Sequence, residues 1–193
     1  MVVLNRIYTR VGDDGSTRLA TGEPLSKANA RVEAYGAVDE ANAALGLARL
    51  HARDLPELDA ILERLQNELF DLGADLATPE RAEPLGFEPL RIVQSQVDRL
   101  EADIDRLNAE LEPLTSFVLP AGTALTTHLH LARTVARRAE RDAVRLAADP
   151  AERVSPEALK YLNRLSDLLF VAARWANLKA GPGDVLWRPG ATR

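Results

Sequence analysis

Five arginines in one predicted helix are the first residues of this 193-residue chain that could do chemistry. Four of them recur every four residues and the fifth lies beside them, so they form a row down one side of a helix. With the two acidic residues between them they leave a local charge of +3, in a chain whose net charge is −5. Arginine suits the bidentate binding of phosphate, but it also forms ion pairs between helices, and the pattern leaves both roles open. The five are Arg133, Arg137, Arg138, Arg141 and Arg145.

A glycine-containing loop near the N-terminus is the second candidate. Residues 8–17 combine two glycines, three serine or threonine side chains and one arginine. Backbone N–H groups in such a loop can bind an anion, because glycine allows close approach of the backbone. The loop lacks the Walker A pattern GxxxxGK[ST]. Asp14-Gly15 is also a common turn dipeptide, so the loop predicts either a simple hairpin turn or a phosphate-binding turn.

Polar residues fall on the packing faces of two predicted helices. Asn163, Arg164 and Asp167 lie among apolar residues in one helix, and Asp39 and Asn42 lie on or beside the apolar face of another. An amide or carboxylate on such a face needs partners. We expect these groups to join helix ends, to pair with arginines of the row, including a pair between Asp39 and an arginine, or to bind a ligand.

Several other kinds of chemistry are excluded. The chain has no cysteine and three histidines, which excludes thiolate nucleophiles, disulfides and cysteine-based metal sites. His128 and His130 point to different faces of a helix, so we expect each to lie at the surface or to make a single hydrogen bond. The patterns Glu-x-x-His, HExxH and GxSxG do not occur. Because no apolar stretch reaches the ~18 residues of a membrane span and the net charge is negative, we expect a cytoplasmic protein without membrane or nucleic-acid partners.

Five helices are predicted to position these residues. Apolar residues spaced by three and four predict helices over residues 58–76 and 90–111, separated by a proline-rich loop. A first helix is predicted over about 28–51, and a fourth, whose apolar positions are mostly alanine, over about 122–148. The fifth begins at the N-cap Ser155 and Pro156 and ends near residue 180, before Gly181 and Pro182.

This pattern predicts an all-α fold, a five-helix up-and-down bundle. Leucine, alanine, glutamate and arginine recur while aromatic residues make up 5% of the chain, a composition that favours helices. We expect a single domain over residues 1–193, with an N-terminal glycine-containing loop over 1–27, the bundle over 28–180 and a C-terminal tail over 181–193.

Six segments in order along nearly the whole chain carry a resemblance to a known family. They are residues 8–17, Lys27, residues 31–40, residues 116–120, residues 132–134 with 137–141, and residues 163–167. In this combination the chain resembles the PduO-type ATP:cob(I)alamin adenosyltransferases. The resemblance implies a five-helix bundle that assembles as a homotrimer, with each active site between two subunits. It also implies transfer of the 5′-deoxyadenosyl group of ATP to cob(I)alamin, giving adenosylcobalamin and triphosphate.

The resemblance further implies how ATP is bound. The N-terminal loop would be a nucleotide-binding loop that holds the phosphates, and residues of a neighbouring subunit would complete the site. Mg²⁺ would be bound mainly through the ATP phosphates, with Glu140 as the one candidate protein contact. The implied loop residues are Thr9, Arg10, Val11, Gly12, Thr17 and Lys27, and the implied residues of the neighbour are Arg137, Arg138, Glu140, Arg141 and Asn163.

The corrinoid site is implied in the same way. Phe117 matches the aromatic residue that displaces the lower axial base of the corrinoid, and Asp39 and Arg133 match a pair that bridges subunits near it. With Arg137 these three are the catalytic candidates. The family's late C-terminal aromatic is missing, and Trp187 is a candidate substitute for closing the corrinoid pocket.

The chain departs from the usual family pattern at two positions. Where the family usually has Leu-Pro-Gly-Gly, this chain has Ala121 before Gly122. Where the family has Asp-Glu-Leu-Asn, this chain has Ala41 in place of the leucine. Neither change removes an implied ligand.

The resemblance also implies partners and leaves one alternative function. Expected partners are a corrinoid reductase and an adenosylcobalamin-dependent mutase as product acceptor. The alternative is a bundle that binds ATP for regulation or delivers corrinoid without catalysis.

Overall fold

The computed structural model describes residues 7–80, 85–181 and 183–193, and within these residues five helices carry the fold. Residues 1–6, 81–84 and 182, which fall in the predicted N-terminal and interhelical loops and after the fifth helix, lie outside the described residues. A two-stranded antiparallel sheet lies in the N-terminal loop. The elements are β1 Ser16–Arg18, β2 Pro24–Ser26, α1 Ala30–Arg49, α2 Pro56–Leu76, α3 Gln94–Asn108, α4 Ala124–Ala147 and α5 Pro156–Ala180.

The predicted up-and-down helical bundle is confirmed. At the start of α1, Arg31 Nη1 donates to the Leu76 carbonyl at the end of α2 over 2.6 Å. Just after α1, the His51 ring stacks at 5.0 Å on that of His128 near the start of α4. α1 packs against α2 and α4, α4 packs against α5, and α5 packs against α3, so the helices enclose one apolar core. None of the described helices is long and apolar enough to cross a membrane.

Small side chains let α4 pack closely between α1 and α5. Ala132, Ala136, Ala139 and Ala143 are all fully buried, as their helical spacing predicts. Alanine at the contact brings neighbouring helix axes close together, which leaves the long arginine side chains of α4 on the outer sides of the bundle. The alanine face therefore fixes where those arginines point.

The third helix is shorter than its apolar pattern predicts. It spans Gln94–Asn108 rather than 90–111, and Leu90 and Val93 are exposed, so the prediction was wrong for its first turn. The cause lies in side-chain capping. Gln96 Oε1 accepts the Val93 N–H over 3.0 Å, and the buried Asp75 carboxylate accepts the Ile92 N–H over 2.9 Å, which holds these residues outside the helix. The other helices differ from prediction by at most two residues at either end.

Both ends of α5 follow the sequence signals. The Ser155 hydroxyl accepts the Ala158 N–H over 3.1 Å, and Pro156 occupies the first turn. Gly181 ends the helix in the left-handed conformation, with φ of 93°. Since α5 carries Asn163 and Phe170, these caps fix the height at which both side chains face α4.

Gly122 allows the backbone before α4 to approach Asn177 of α5. Its φ is 126°, and a Cβ atom there would lie 2.2 Å from Asn177 Oδ1. Asn177 is fully buried; its Oδ1 accepts the Thr126 hydroxyl over 2.7 Å, and its Nδ2 donates to the Ala121 carbonyl over 3.2 Å. The requirement for glycine thus falls on residue 122, and the alanine at 121 is accommodated.

We expect Gly122→Ala to lower the free energy of unfolding by about 2–4 kcal/mol, from backbone strain together with displacement of a packed side chain. Urea denaturation at a fixed protein concentration measures this loss. Gly73→Ala in α2 is the matched control, because a Cβ there meets no atom within 4 Å; it should raise stability by up to ~1 kcal/mol. Equal stability of Gly122→Ala and the wild type would contradict the close approach to Asn177.

Candidate functional site

The glycine-containing loop forms two successive turns before β1. The Asp13 N–H donates to the Arg10 carbonyl over 3.4 Å, and the Gly15 N–H donates to the Gly12 carbonyl over 3.2 Å. Arg10 has a φ of 64°, a left-handed conformation that residues other than glycine rarely adopt. The predicted turn is present, and phosphate binding by the same backbone stays a prediction.

Lys27 closes this loop from the far side of the hairpin. Its Nζ donates to the Gly12 carbonyl over 2.7 Å, and its backbone N–H donates to the Gly15 carbonyl over 2.8 Å. A Cβ atom on Gly12 would lie 2.8 Å from the Ser16 carbonyl oxygen and 3.0 Å from Lys27 Nζ. Five of the six predicted loop residues line one cavity of about 550 Å³, and Arg10 instead lies 5.7 Å from the Tyr8 ring centre. The cavity-lining predictions are Thr9, Val11, Gly12, Thr17 and Lys27.

The arginine row of α4 divides into paired and unpaired members. Arg138 forms an ion pair with Glu40 of α1, and Arg145 pairs with Asp142 over 2.8 Å. Among the described residues no carboxylate pairs with the other three, Arg133, Arg137 and Arg141. The structural role left open by the sequence therefore holds for two arginines, and three remain available for an anion.

The loop and the Glu140–Asn163 pair lie on different sides of α4. Lys27 and Arg138 line a second cavity of about 300 Å³ between α1 and α4. On the side of α4 that faces α5, Asn163 Nδ2 donates to Glu140 Oε1 over 2.8 Å. One chain thus brings Arg138 to the loop, while Glu140 and Asn163 meet on the opposite side of α4.

The predicted polar contacts of the packing faces are partly wrong. Asp39 is exposed and forms no hydrogen bond or ion pair with the described residues, because it lies beyond the edge of the buried stripe of α1. Asn42 is buried and donates to the Gln66 carbonyl of α2 over 3.0 Å, not to an arginine of α4. Asp167 is exposed as well. In the single chain Asp39 therefore does not pair with Arg133.

An apolar cavity of about 650 Å³ contains Phe117 and Arg133. Phe117 is 77% exposed, and its ring centre lies 5.9 Å from that of Trp187. The C-terminal tail reaches the cavity by pairing with the segment of Phe117: the Trp187 N–H donates to the Phe117 carbonyl and the Leu119 N–H to the Val185 carbonyl, each over 2.8 Å. The remaining lining residues are Leu114, Thr115, Ser116, Val118 and Phe170.

Arg133 is held at this cavity by a buried histidine. Its Nε donates to His130 Nδ1 over 3.4 Å, and the His130 ring lies 6.3 Å from that of Phe170. Burial and the charge of Arg133 lower the pKa of His130, while the charge of Asp184 acts in the opposite direction. Burial also lowers the pKa of Arg133, and the charge of Arg137 adds to that effect. His130 is therefore a neutral acceptor at neutral pH, and it makes the single hydrogen bond that the sequence predicted.

The comparisons with known proteins agree on one family. Its model, described as cobalamin adenosyltransferase, matches residues 7–176. A corrinoid adenosyltransferase of Mycobacterium tuberculosis is 52% identical over 192 residues, covering 100% of this chain and 97% of the relative. The chain belongs to the cobalamin adenosyltransferase family. A second relative, a corrinoid adenosyltransferase of Bacillus subtilis, is 41% identical over 191 residues and covers 96% of this chain and 94% of its own length.

Solved structures of the family have the same fold. A variant of the PduO-type ATP:corrinoid adenosyltransferase from Lactobacillus reuteri, complexed with cobalamin and ATP, superposes with a TM-score of 0.86. Its sequence is 39% identical, and the match covers 95% of this chain and 97% of that chain. The helical bundle described above is thus the fold of a cobalamin adenosyltransferase.

The sequence did not predict which residue of this family member holds the C-terminal tail against the helical bundle. Arg174, buried in α5, donates through Nε to Asp184 Oδ2 and through Nη2 to the Glu112 carbonyl, each over 2.8 Å. It thereby ties both the tail and the segment before Phe117 to the bundle. The available signal was a charged residue inside the most apolar stretch of the chain, since a buried arginine needs a partner.

Proposed function

We propose that this chain transfers the 5′-deoxyadenosyl group of ATP to the cobalt of cob(I)alamin, giving adenosylcobalamin and triphosphate. One observation carries the proposal. Arg133, which lines the apolar cavity of Phe117, belongs to the same helical row as Arg137 and Arg141, and none of the three pairs with a carboxylate among the described residues. An anion site and an apolar pocket therefore share one helix, as transfer between a polyphosphate and a flat, largely apolar macrocycle requires.

The reaction needs no nucleophile from the protein. The electron pair of cobalt(I) forms the Co–C bond to the ribose 5′ carbon as the bond from that carbon to the phosphate oxygen breaks. The electron pair of the broken bond leaves with triphosphate. The remaining tasks are to align the two reactants and to stabilise the charge that grows on the leaving group. A chain without cysteine suits this chemistry, because the substrate supplies the reactive centre.

Arginines and loop N–H groups would bind the triphosphate. Arg137 and Arg141 are exposed, and Arg141 Nη1 donates to the Arg137 carbonyl over 3.0 Å, which holds its guanidinium against the same turn of α4. Mg²⁺ would be bound by phosphate oxygens, since the described residues contain no cluster of three metal-ligating side chains. Glu140 can contribute one carboxylate oxygen, because the other accepts from Asn163.

Phe117 and Trp187 would form the apolar side of the corrinoid site. An aromatic side chain over the lower face of the corrinoid displaces its axial base, and four-coordinate cob(II)alamin is then easier to reduce. The tail places Trp187 beside Phe117, which supports its role in closing the corrinoid pocket. The electron would come from a corrinoid reductase and the product would pass to a mutase, with all three proteins in the cytoplasm.

We further propose that each site is shared between two subunits of a homotrimer. The cavity of the loop and the cavity of Phe117 have no lining residue in common, so the single chain presents them as two separate cavities. Asp39 is exposed and unpaired within the described residues, and Arg133 has no carboxylate partner there. A pair between Asp39 of one subunit and Arg133 of the next satisfies both charges and joins the half-sites.

Mixed assemblies test this sharing. Lys27→Ala and Arg137→Ala subunits, each defective alone, are co-assembled at equal amounts and assayed for adenosylcobalamin. If the loop and the row come from different subunits, about a quarter of the sites hold both intact residues, and activity should return to about that fraction. Co-assembly of Lys27→Ala with Gly12→Ala is the matched control, because both residues line the cavity of the loop and no intact loop forms. Absence of recovery in the first mixture would place the whole site within one chain.

The rival function, ATP-dependent regulation or corrinoid delivery without catalysis, is separated by an assay of Co–C bond formation. The protein is incubated without oxygen with ATP and chemically reduced corrinoid, while ATP binding is measured in parallel by calorimetry. The proposal predicts repeated turnover to adenosylcobalamin. ATP binding without any Co–C bond formation would establish the regulatory or delivery role instead.

A further inference from the structure

A cluster of buried polar groups behind the apolar cavity is not used by the proposed chemistry. His130 is 2% exposed, and its Nε2 is buried without a hydrogen-bond partner among the described residues. Asp184 Oδ1 is buried and unpartnered in the same way, whereas its Oδ2 accepts from Arg174. Buried polar atoms without partners are costly, so each calls for an explanation.

The two unpartnered atoms belong to groups that act on each other. The charge of Asp184 opposes the effect of burial on the pKa of His130, so the carboxylate lies within electrostatic reach of the imidazole. Acceptance of the Arg133 Nε–H requires the lone pair on Nδ1, so the proton of the neutral imidazole lies on Nε2.

We propose that His130 is a positioning residue for the corrinoid site: its neutral imidazole accepts from Arg133 through Nδ1 and so holds the guanidinium at the cavity. Arg133 lies at the cavity wall, and fixing Nε leaves the two terminal nitrogens of the guanidinium free for the corrinoid and for Asp39 of the partner subunit. This inference rests on the proposed function. It concerns a residue that touches neither substrate.

Asp184 also connects this arrangement to the C-terminal tail. The same tail that pairs with the segment of Phe117 carries Asp184 three residues before Trp187. The ion pair of Asp184 with Arg174 therefore holds in place both the tail that carries Trp187 and the carboxylate whose charge acts on His130. Arg133 on one side of the cavity and Trp187 on the other are thus positioned by the same segment.

Two substitutions of His130 separate positioning from packing. His130→Asn retains a polar atom at the position of Nδ1, whereas His130→Gln retains one only at the position of Nε2. We expect His130→Gln to raise the KM for cob(I)alamin by about 10-fold or more, the effect of losing a hydrogen bond to a charged group. His130→Asn should recover most of that loss, and the KM for ATP should stay at the wild-type value in both variants.

The pH profile provides a readout that a structural role would not move. As the pH falls through the lowered pKa of His130, the imidazolium can no longer accept from Arg133 and repels it, so the KM for corrinoid rises. Arg133 and Asp184 are the charged groups that act on this ring. We expect this rise in the KM for corrinoid, the acid limb of the pH profile, at pH values below the ordinary histidine pKa of about 6.5. It should disappear in His130→Asn, and Asp184→Asn should move it to lower pH because the opposing charge is gone.

The outcomes distinguish this inference from the proposed function. A wild-type protein that forms no adenosylcobalamin overturns the proposed function itself. An active wild type in which His130→Gln and His130→Asn are equally impaired, or equally unimpaired, overturns the positioning role. An acid limb that persists in His130→Asn would assign the titration to another group and would also overturn it. The share of four-coordinate cob(II)alamin, measured by EPR with ATP present, reports corrinoid seating without turnover and should fall in His130→Gln.

Discussion

Replacing Arg137 with alanine is expected to lower kcat for adenosyl transfer by about 10²- to 10³-fold. Arg137 is exposed and pairs with no carboxylate among the described residues, so its charge has no structural partner to lose. Its contribution would be made in the transition state, where the charge on the departing triphosphate grows. The KM for ATP should change much less than kcat, because the ground-state triphosphate is already bound by the loop and Lys27.

Arg145→Ala is the matched control for this prediction. Arg145 belongs to the same row but pairs with Asp142 over 2.8 Å, so it is already neutralised within its own helix. We expect kcat to stay unchanged in this variant when it is measured with cob(I)alamin prepared chemically. A near-normal kcat in Arg137→Ala, or an equal loss in both variants, would return the whole row to a structural role.

Phe117→Ala is expected to slow turnover that starts from cob(II)alamin by about 10²-fold. An aromatic side chain that covers an apolar surface contributes about 2–3 kcal/mol, and this contribution would be made only when the axial base has left. Because Phe117 is 77% exposed in the single chain, its removal should leave folding intact. ATP affinity should also be unchanged, since Phe117 lies in a different cavity from the loop.

Two measurements separate reduction from transfer in this variant. Turnover from chemically prepared cob(I)alamin should fall less than turnover from cob(II)alamin, because the first route bypasses loss of the axial base. The EPR signal of four-coordinate cob(II)alamin should decline in Phe117→Ala and persist in Phe70→Ala, which removes a comparably exposed phenylalanine from α2. An undiminished signal in Phe117→Ala would contradict the proposed role.

Local signals predicted the helices well wherever the information is contained in neighbouring residues. Ser155, Pro156 and Gly181 define both ends of α5 because capping acts within one turn. The start of α3 escaped prediction because one of the groups that cap it, Asp75, comes from α2. An apolar residue such as Leu90 continues the spacing of the helix without belonging to it.

The site could be predicted in its residue types but not in its pairings. The spacing of the arginines indicated a row on one helix, yet it could not show that Arg138 pairs with Glu40 of α1 while Arg137 does not pair. That distinction depends on which helices become neighbours. The pairing of the tail with the segment of Phe117 could not be predicted either, because a single antiparallel bridge between Val118 and Leu186 leaves no periodic signal in the sequence.

The central claim is that the 5′ carbon of ATP is transferred to cobalt with triphosphate as the leaving group. The most direct test is ³¹P NMR of a single-turnover reaction with chemically prepared cob(I)alamin, performed without oxygen while adenosylcobalamin is quantified by its absorption spectrum. The account predicts one intact triphosphate for each adenosylcobalamin formed. Formation of ADP and phosphate without any Co–C bond would contradict it.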